Sequence, residues 1–360
     1  MKILQVVVDS YVELGGISVH VRNIAERLAK HHDVTVFATN DKGLEPWRET
    51  INGVKVERFR CFAPNNAYFF TVEMPLRMRK ERFDIVHAHG YHAFPFHLAT
   101  LAKGDRFIAT THFHGAGHSS FRNAIVGLLK PFGKRTLSKA DAIVAVSDFE
   151  KSLICHDFGI SEDRVTVIPN GVDFSEFEGL KRRDHKGRTI LYVGYLASFK
   201  GAQYLVEVMP KLPKDVRLKI VGGGPMKPFL EKRALELGVS GRVDFYSNLL
   251  RKDLLQMYAD ADVFALLSKY EAYSIVVAEA LTAGTPCIVT NTSALQEWID
   301  NETCFGVDFP ISLNRLGEIV TSVMDKRLKK NAFMKWQGRK ILDWNEVTAR
   351  LETVYEENLL

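Results

Sequence analysis

Two carboxylates, Glu271 and Glu279, stand eight residues apart in the run Glu271-Ala272-Tyr273-Ser274-Ile275-Val276-Val277-Ala278-Glu279-Ala280. Glu279 is set among apolar residues, and a carboxylate is expensive to bury unless it is paired or hydrogen-bonded. The hydroxyls of a ligand would serve, so carboxylates at this spacing could hold two parts of one sugar-nucleotide. A surface glutamate beside a salt-bridged one is the plainer alternative. Lys200, in Val193-Gly194-Tyr195-Leu196-Ala197-Ser198-Phe199-Lys200-Gly201, is a cation just ahead of a helical pattern, a good place to neutralise a diphosphate. Gly222-Gly223-Gly224-Pro225 follows an apolar run, with Pro225 suited to the start of a helix. Its glycines suggest close approach of a nucleotide. Gly15-Gly16 repeats the logic in the first half, where bare backbone and a helix N-terminus can receive an anion or simply make a tight turn.

No Asp-x-Asp pair stands where a metal bridging a diphosphate would want one. Asp260-Ala261-Asp262 has the spacing but precedes an apolar strand, and reads as a helix end and a strand start. Histidines crowd positions 87 to 118, at His87, His89, His92, His97, His112, His114 and His118. His87 and His89 alternate onto one face of a strand, which could suggest zinc. No Asp or Cys joins them, so a polar acceptor pocket is the preferred reading, and no metal and no cofactor are expected.

The elements that must position these groups are short apolar runs alternating with helical patterns. In the first half the runs are Ile3–Val8, Val34–Ala38, Val54–Phe59, Ile85–His89, Phe107–Thr111, Ala142–Val146 and Val165–Pro169. In the second they are Thr189–Val193, Val216–Val221, Val243–Tyr246, Val263–Leu267 and Pro286–Thr290. Such alternation predicts parallel sheets built of βαβ units. The rhythm breaks from 170 to 188, a stretch with Gly171, Gly179, Gly187 and the charged run Lys181–Lys186, read as a linker. The expected organisation is an α/β domain over 1–169, the linker 170–188, a second α/β domain over 189–340, and a helical tail over 341–360. Eleven of the twelve histidines precede the linker's charged run, so the halves have different work.

Length and composition agree. A chain of 360 residues, 46% hydrophobic and 25% charged, is globular and long enough for two cores. A net charge of +5 permits an acidic ligand or membrane surface without calling for nucleic acid. The four cysteines, at 61, 155, 287 and 304, form no close pair, as expected of free thiols in a reducing compartment. No signal-peptide pattern and no apolar stretch of membrane-spanning length occurs, so a cytoplasmic location is expected. Segment 119–140 carries Arg122, Lys130, Lys134, Arg135 and Lys139 with interleaved apolar residues and no acid. A basic amphipathic helix of this kind can lie on anionic lipid, or form a solvated face of its own domain, with Pro131 kinking or ending it.

Taken in order, the motifs resemble the retaining glycosyltransferases of glycosyltransferase family 4, which have the GT-B fold. The resemblance rests on the Glu271…Glu279 spacing, Gly284-Thr285-Pro286 followed by Glu297, Gly194…Lys200-Gly201 against the family's G-R-x4-K-G, Gly222-Gly223-Gly224-Pro225 against G-x-G-P, and Ile168-Pro169-Asn170-Gly171-Val172-Asp173 between the halves. Gly15-Gly16 and Thr111-His112 resemble first-half elements. The resemblance implies two Rossmann-like domains facing each other across a cleft, 1–169 on the acceptor side and 189–340 binding the nucleotide sugar, with the helix over 341–360 packing back on the first domain. It places Glu271 at the donor sugar and reacting centre, Glu279 on the nucleotide ribose, Lys200 on the diphosphate, and His112 beside the transferred sugar. Gly16 and Gly223 would offer backbone, and Ser274, Ile275 and Val276 would give N–H groups to the phosphates at a helix start. The implied donor is a UDP- or GDP-linked sugar and the acceptor a glycan or lipid-linked molecule. Two positions depart from the family: Tyr195 stands where it has Arg, with Arg251 a conceivable substitute, and Ala272-Tyr273-Ser274 replaces a Gly-aromatic-Gly loop.

Three other functions compete. A sugar-nucleotide epimerase would share the donor site but need no acceptor. A non-catalytic nucleotide-sugar binder is favoured by Tyr195. A dinucleotide oxidoreductase is disfavoured by the missing GxGxxG and by the lack of an acid ending the second strand, Phe37-Ala38-Thr39-Asn40.

Overall fold

The computed structural model describes residues 1–8, 11–12, 15–40, 43, 47–63, 68–115, 130–183, 186–325 and 336–357. The chain divides into two units. The first comprises Met1–Gly171 and Asp343–Leu360, and the second Val172–Leu342.

The first unit is built on eight strands: β1 (Lys2–Val6), β2 (Asp33–Asn40), β3 (Arg48–Ile51), β4 (Val54–Arg60), β5 (Arg82–His89), β6 (Lys103–Thr110), β7 (Ala142–Ala145) and β8 (Val165–Val167). Their order is β3-β4-β2-β1-β5-β6-β7-β8. Only β3 runs antiparallel, against β4. In β2 every residue after Asp33 is buried, as expected for a parallel strand covered on both faces. Helix α1 (Gly16–Leu28) follows β1 and buries Val21, Ile24 and Leu28. Helices α2 (Glu73–Met78) and α3 (Phe94–Leu98) flank β5, residues 130–138 form α4, and α5 (Asp148–Phe158) precedes β8. Ser147 caps α5 by accepting from the Glu150 N–H, and Gly159 ends it in the left-handed conformation.

The chain leaves the first unit within β9 (Gly171–Val172) and re-enters it within β16 (Leu342–Asp343). The returning helix, numbered α11 here (Trp344–Glu356), buries Trp344, Val347, Leu351, Val354 and Tyr355. Gln5 donates to the Tyr355 hydroxyl at 3.1 Å. Arg106 donates to the carbonyls of Val354 and Tyr355 at 3.0 and 2.9 Å, and to that of Glu357, satisfying the end of the helix.

The second unit carries β10 (Arg188–Val193), β11 (Val216–Val221), β12 (Val243–Tyr246), β13 (Val263–Leu266), β14 (Cys287–Thr290) and β15 (Cys304–Val307). All run parallel, in the order β12-β11-β10-β13-β14-β15. The order reverses between β10 and β13, the switch point at which doubly wound sheets receive ligands. Helices α6 (Ala202–Val208), α7 (Lys227–Glu236), α8 (Arg251–Asp260) and α9 (Ile275–Thr282) connect the strands, and α10 (Leu313–Asp325) follows β15.

The stretch expected to be a linker is fastened to the second unit from Val172 onward. Arg183 holds Asp260 at 2.6 Å, Arg182 holds Asp262 at 2.5 Å, and Gln256 donates to the Lys181 carbonyl. The same contacts place Asp260 at the end of α8 and Asp262 just before β13, each bound to an arginine. Strands β3 and β15 were absent from the sequence reading. Of segment 119–140, residues 119–129 lie outside those described. Residues 130–138 are helical, so Pro131 does not end the helix there. No helix among the described residues is long and apolar enough to cross a membrane.

Candidate active site

In the second unit the loops after β10 and β13 meet at the switch point. The Lys269 N–H donates to the Phe199 carbonyl at 2.7 Å, tying one loop to the other. Lys200 ends a single helical turn (Ser198–Lys200) in the first loop, and its ammonium lies 2.7 Å from Glu271 Oε1 in the second. Both side chains are shielded, 22% and 13% exposed, so the pair is held more firmly than a surface ion pair. The Glu271 N–H donates to Ser293 Oγ at 3.0 Å.

Four residues beyond Glu271, α9 begins. Its cap, Ser274, has φ 88°, a left-handed conformation that favours glycine, and its buried hydroxyl has no partner among the described residues. The loop is held there by Tyr273, whose hydroxyl donates to the Lys340 carbonyl at 2.6 Å and whose carbonyl accepts from Trp298 at 2.9 Å. The departure Ala272-Tyr273-Ser274 thus keeps the backbone turn of a glycine loop at the expense of strain. Ile275 and Val276 are half-buried at the helix opening, where N–H groups have no acceptor within the helix.

Glu279 lies one turn further in and is 6% exposed. Burial raises the pKa of its carboxyl, opposed chiefly by Arg251. Arg251 lies 2.7 Å from Oε1, and the Tyr258 hydroxyl donates to Oε2 at 3.0 Å. The buried carboxylate is therefore paired within the protein. Arg251 also holds Glu176 at 2.7 Å, so its guanidinium is bound to two carboxylates and does not stand free for a diphosphate as the sequence suggested. Tyr195, in place of the family's arginine, is 53% exposed.

The glycine loop after β11 separates into structural and open positions. A Cβ on Gly222 would meet the Gly194 carbonyl oxygen at 2.0 Å, and one on Gly224 the Leu196 carbonyl oxygen at 2.5 Å; both residues have φ 148°. These two glycines let the loops after β10 and β11 lace together, with the Leu196 N–H donating to the Gly223 carbonyl at 2.8 Å. Gly223 is exposed, and a Cβ there would meet nothing within 4 Å. In the first unit Gly16, the first residue of α1, is likewise open. Close approach of a ligand is available at Gly223 and Gly16, while Gly222 and Gly224 serve the fold.

His112 follows β6 with φ 49° and is buried. Its flanks are clamped by one carboxylate. Glu150 Oε1 accepts from the Thr111 hydroxyl and from the Phe113 N–H at 2.5 Å, and Oε2 accepts from the Val146 N–H at 2.7 Å. Glu150 is fully buried, and burial pushes its carboxyl up to about 7 against these three bonds. The sequence reading missed this residue. The available signal was Ser147-Asp148-Phe149-Glu150, a capping box at the end of an apolar run. Around His112 stand His20 and His89, with ring centroids 5.0 and 5.8 Å away.

The described geometry thus joins Lys200 to Glu271, and sets Glu279 on separate partners. The comparisons with known proteins follow the two units. The sequence model of Glycosyltransferase Family 4 matches residues 14–176, and that of Glycosyl transferases group 1 matches residues 173–341. A glycosyltransferase of Methanocaldococcus jannaschii, itself uncharacterized, is 31% identical over 319 residues, covering 80% of each chain. The chain belongs to glycosyltransferase family 4. Among solved structures, sucrose-phosphate synthase from Thermosynechococcus elongatus superposes with a TM-score of 0.81 at 19% identity, covering 99% of this chain and 98% of that one. HepE of Anabaena, in complex with UDP-glucose, gives 0.79 at 16% identity, covering 99% and 100%. These likenesses give the fold, GT-B. The protein is a glycosyltransferase.

Proposed function

We propose that this glycosyltransferase is a retaining enzyme that takes a hexose from a UDP- or GDP-sugar and passes it to a carbohydrate or lipid-linked acceptor. The observation that carries the reading is the Lys200–Glu271 ion pair at the β10/β13 switch point, four residues ahead of the α9 opening. Glycosyl transfer develops positive charge on the sugar and negative charge on the departing diphosphate. A cation and unpaired helix N–H groups stabilise that leaving group without a metal. In the resting site Glu271 neutralises Lys200. A bound diphosphate takes over the ammonium, and the released carboxylate turns to the sugar hydroxyls. The two lone-pair sites left on the Glu279 carboxylate accept from the ribose hydroxyls, Gly223 and Gly16 give backbone to the ligand, and His112 stands beside the transferred sugar. The UDP-glucose complex of HepE supports this donor class. An anionic membrane surface for 119–140 belongs to the same proposal, favoured by Phe132, 64% exposed.

The test is a melting-curve panel with UDP, GDP, ADP and NAD, followed by turnover of the stabilising nucleotide's sugars and assignment of the product anomer by NMR. Stabilisation by UDP or GDP is expected; a ligand at 100 times its Kd adds about 2.7 kcal/mol. Product of inverted configuration, or stabilisation by NAD alone, overturns the reading. Lys200→Ala is expected to lower kcat/KM about 10²-fold or more, the scale of one lost transition-state donor, a larger effect than its cost in stability. Omitting Mg²⁺ and Mn²⁺ should leave turnover intact. A second reading, a nucleotide-sugar binder without turnover, rests on Tyr195; stabilisation by UDP or GDP with no transfer to any acceptor would select it.

A further inference from the structure

Three histidines converge at the switch point of the first sheet, between β1 and β5. His20 comes from α1, which follows β1. His89 is the last residue of β5, and His112 follows β6. All three are buried, and one ring nitrogen of each lies within 4.8 Å of one ring nitrogen of each of the others.

The hydrogen bonds behind the rings settle two tautomers. His20 Nδ1 faces Asn170 Oδ1 at 2.7 Å, an acceptor, so Nδ1 carries the hydrogen and Nε2 the lone pair. His89 Nε2 faces Gln5 Oε1 at 2.7 Å, so its lone pair is on Nδ1. In this arrangement the Gln5 amide nitrogen donates to the Tyr355 hydroxyl and its oxygen is left to His89. The nitrogens left over, His20 Nε2 and His89 Nδ1, are buried with no partner among the described residues, and so is His112 Nε2. Protonation does not relieve them. Burial lowers all three pKa values, His20 to about 4, and the neighbouring imidazoles lower those of His89 and His112 further.

We propose that His20, His89 and His112 bind a divalent transition-metal ion of the zinc type, a site that the transfer reaction as read above does not require. Imidazole nitrogen suits zinc, cobalt or copper and not magnesium. Ligating imidazoles ordinarily give their second N–H to an oxygen acceptor that fixes the ring, the part Asn170 and Gln5 play here. Around a tetrahedral ion with Zn–N of about 2.0–2.1 Å the nitrogens stand roughly 3.3 Å apart, so rotations of the rings close the site. Three protein ligands leave one position open to water or to a carbohydrate hydroxyl.

The test uses the full, tag-free chain, stripped with a chelator and titrated with Zn²⁺ by calorimetry and with Co²⁺ by visible absorption, without donor or acceptor. One equivalent of each ion and a tetrahedral Co²⁺ spectrum are expected. His89→Gln should abolish both. Asn170→Ala, which leaves the three ligands in place, should weaken Zn²⁺ about 10–100-fold, as loss of such an acceptor does elsewhere, with an unchanged circular dichroism spectrum. No uptake by the parent protein, or equal uptake by His89→Gln, overturns the proposal. Neither result bears on nucleotide binding, which the melting panel reads separately.

Discussion

Glu150→Gln tests the clamp on His112. The carboxylate accepts three bonds in a site closed to water, two on Oε1 and one on Oε2. Glutamine keeps an oxygen at the Oε1 position and sets an amide NH₂ against the Val146 N–H. One buried donor is stranded, at about 1–3 kcal/mol. The pH dependence is the sharper readout. The folded carboxyl lies near 7, raised from an ordinary 4.5 by burial. A raised carboxyl favours folding below its unfolded value, and that advantage drains away as pH climbs through the folded value. At about 1.36 kcal/mol per pK unit, the parent protein loses roughly 3 kcal/mol between pH 4.5 and 7 that the neutral variant does not lose. Glu150→Gln should therefore fall further below the parent at pH 5 than at pH 8, the gap narrowing by roughly 2–3 kcal/mol over that range. Urea unfolding at fixed pH values measures the gap. A gap that stays constant from pH 5 to 8 refutes the argument, because it would mean that the carboxyl titrates normally despite its burial. Since His112 sits between two clamped neighbours, the variant should also lower kcat more than it raises KM.

Three further outcomes follow from the second unit. Gly223→Ala meets no protein atom within 4 Å, so Tm should hold while nucleotide affinity falls; an unchanged affinity by calorimetry would place the ligand elsewhere. Ser274→Gly relieves a left-handed serine at some cost in unfolded-state entropy, and should raise stability by about 1 kcal/mol, read as a higher Tm. Arg251→Ala strands the buried Glu279 carboxylate, and a loss of about 2 kcal/mol is expected, less than a fully buried pair because Arg251 is 41% exposed. That loss should shrink at pH 5, where the uncompensated carboxyl can take up a proton, and equal losses at pH 5 and 8 would count against it.

How much of this was legible depended on range. Strands such as β2 and β11 announce themselves, β2 by the nearly unbroken apolar run Val34–Ala38 and β11 by alternation of Val216, Leu218 and Ile220 with Arg217 and Lys219. β15, Cys304-Phe305-Gly306-Val307, is four residues with a glycine inside and gives no such run. Lys200, Glu271 and Glu279 were readable as residues with chemistry to do. Their partners were not, since Lys200 and Glu271 are 71 positions apart and nothing local joins them. Arg251 looked like a spare cation because neither Glu176 nor Glu279 can be seen to face it until the chain is folded. The histidines were countable, yet the choice of His20, His89 and His112 as a cluster comes from strand order. His87, one of the pair thought to share a face, spends both ring nitrogens on Tyr355 and Thr110.

The first unit's two-part chain has a consequence for the order of events at the ribosome. Gln5 and Tyr355 are 350 positions apart, and the helix that carries Tyr355 also supplies Trp344, whose ring stands edge-on to His20 at 5.7 Å. The second unit is one uninterrupted stretch, Val172–Leu342, and needs no other part of the chain to complete its sheet. The first must wait with an unfinished sheet face until the last helix emerges, reversing the usual sequence in which the N-terminal domain matures first. Its histidine cluster is thus among the last features to form, and a chain cut after residue 343 would hold all of the second unit but only part of the first.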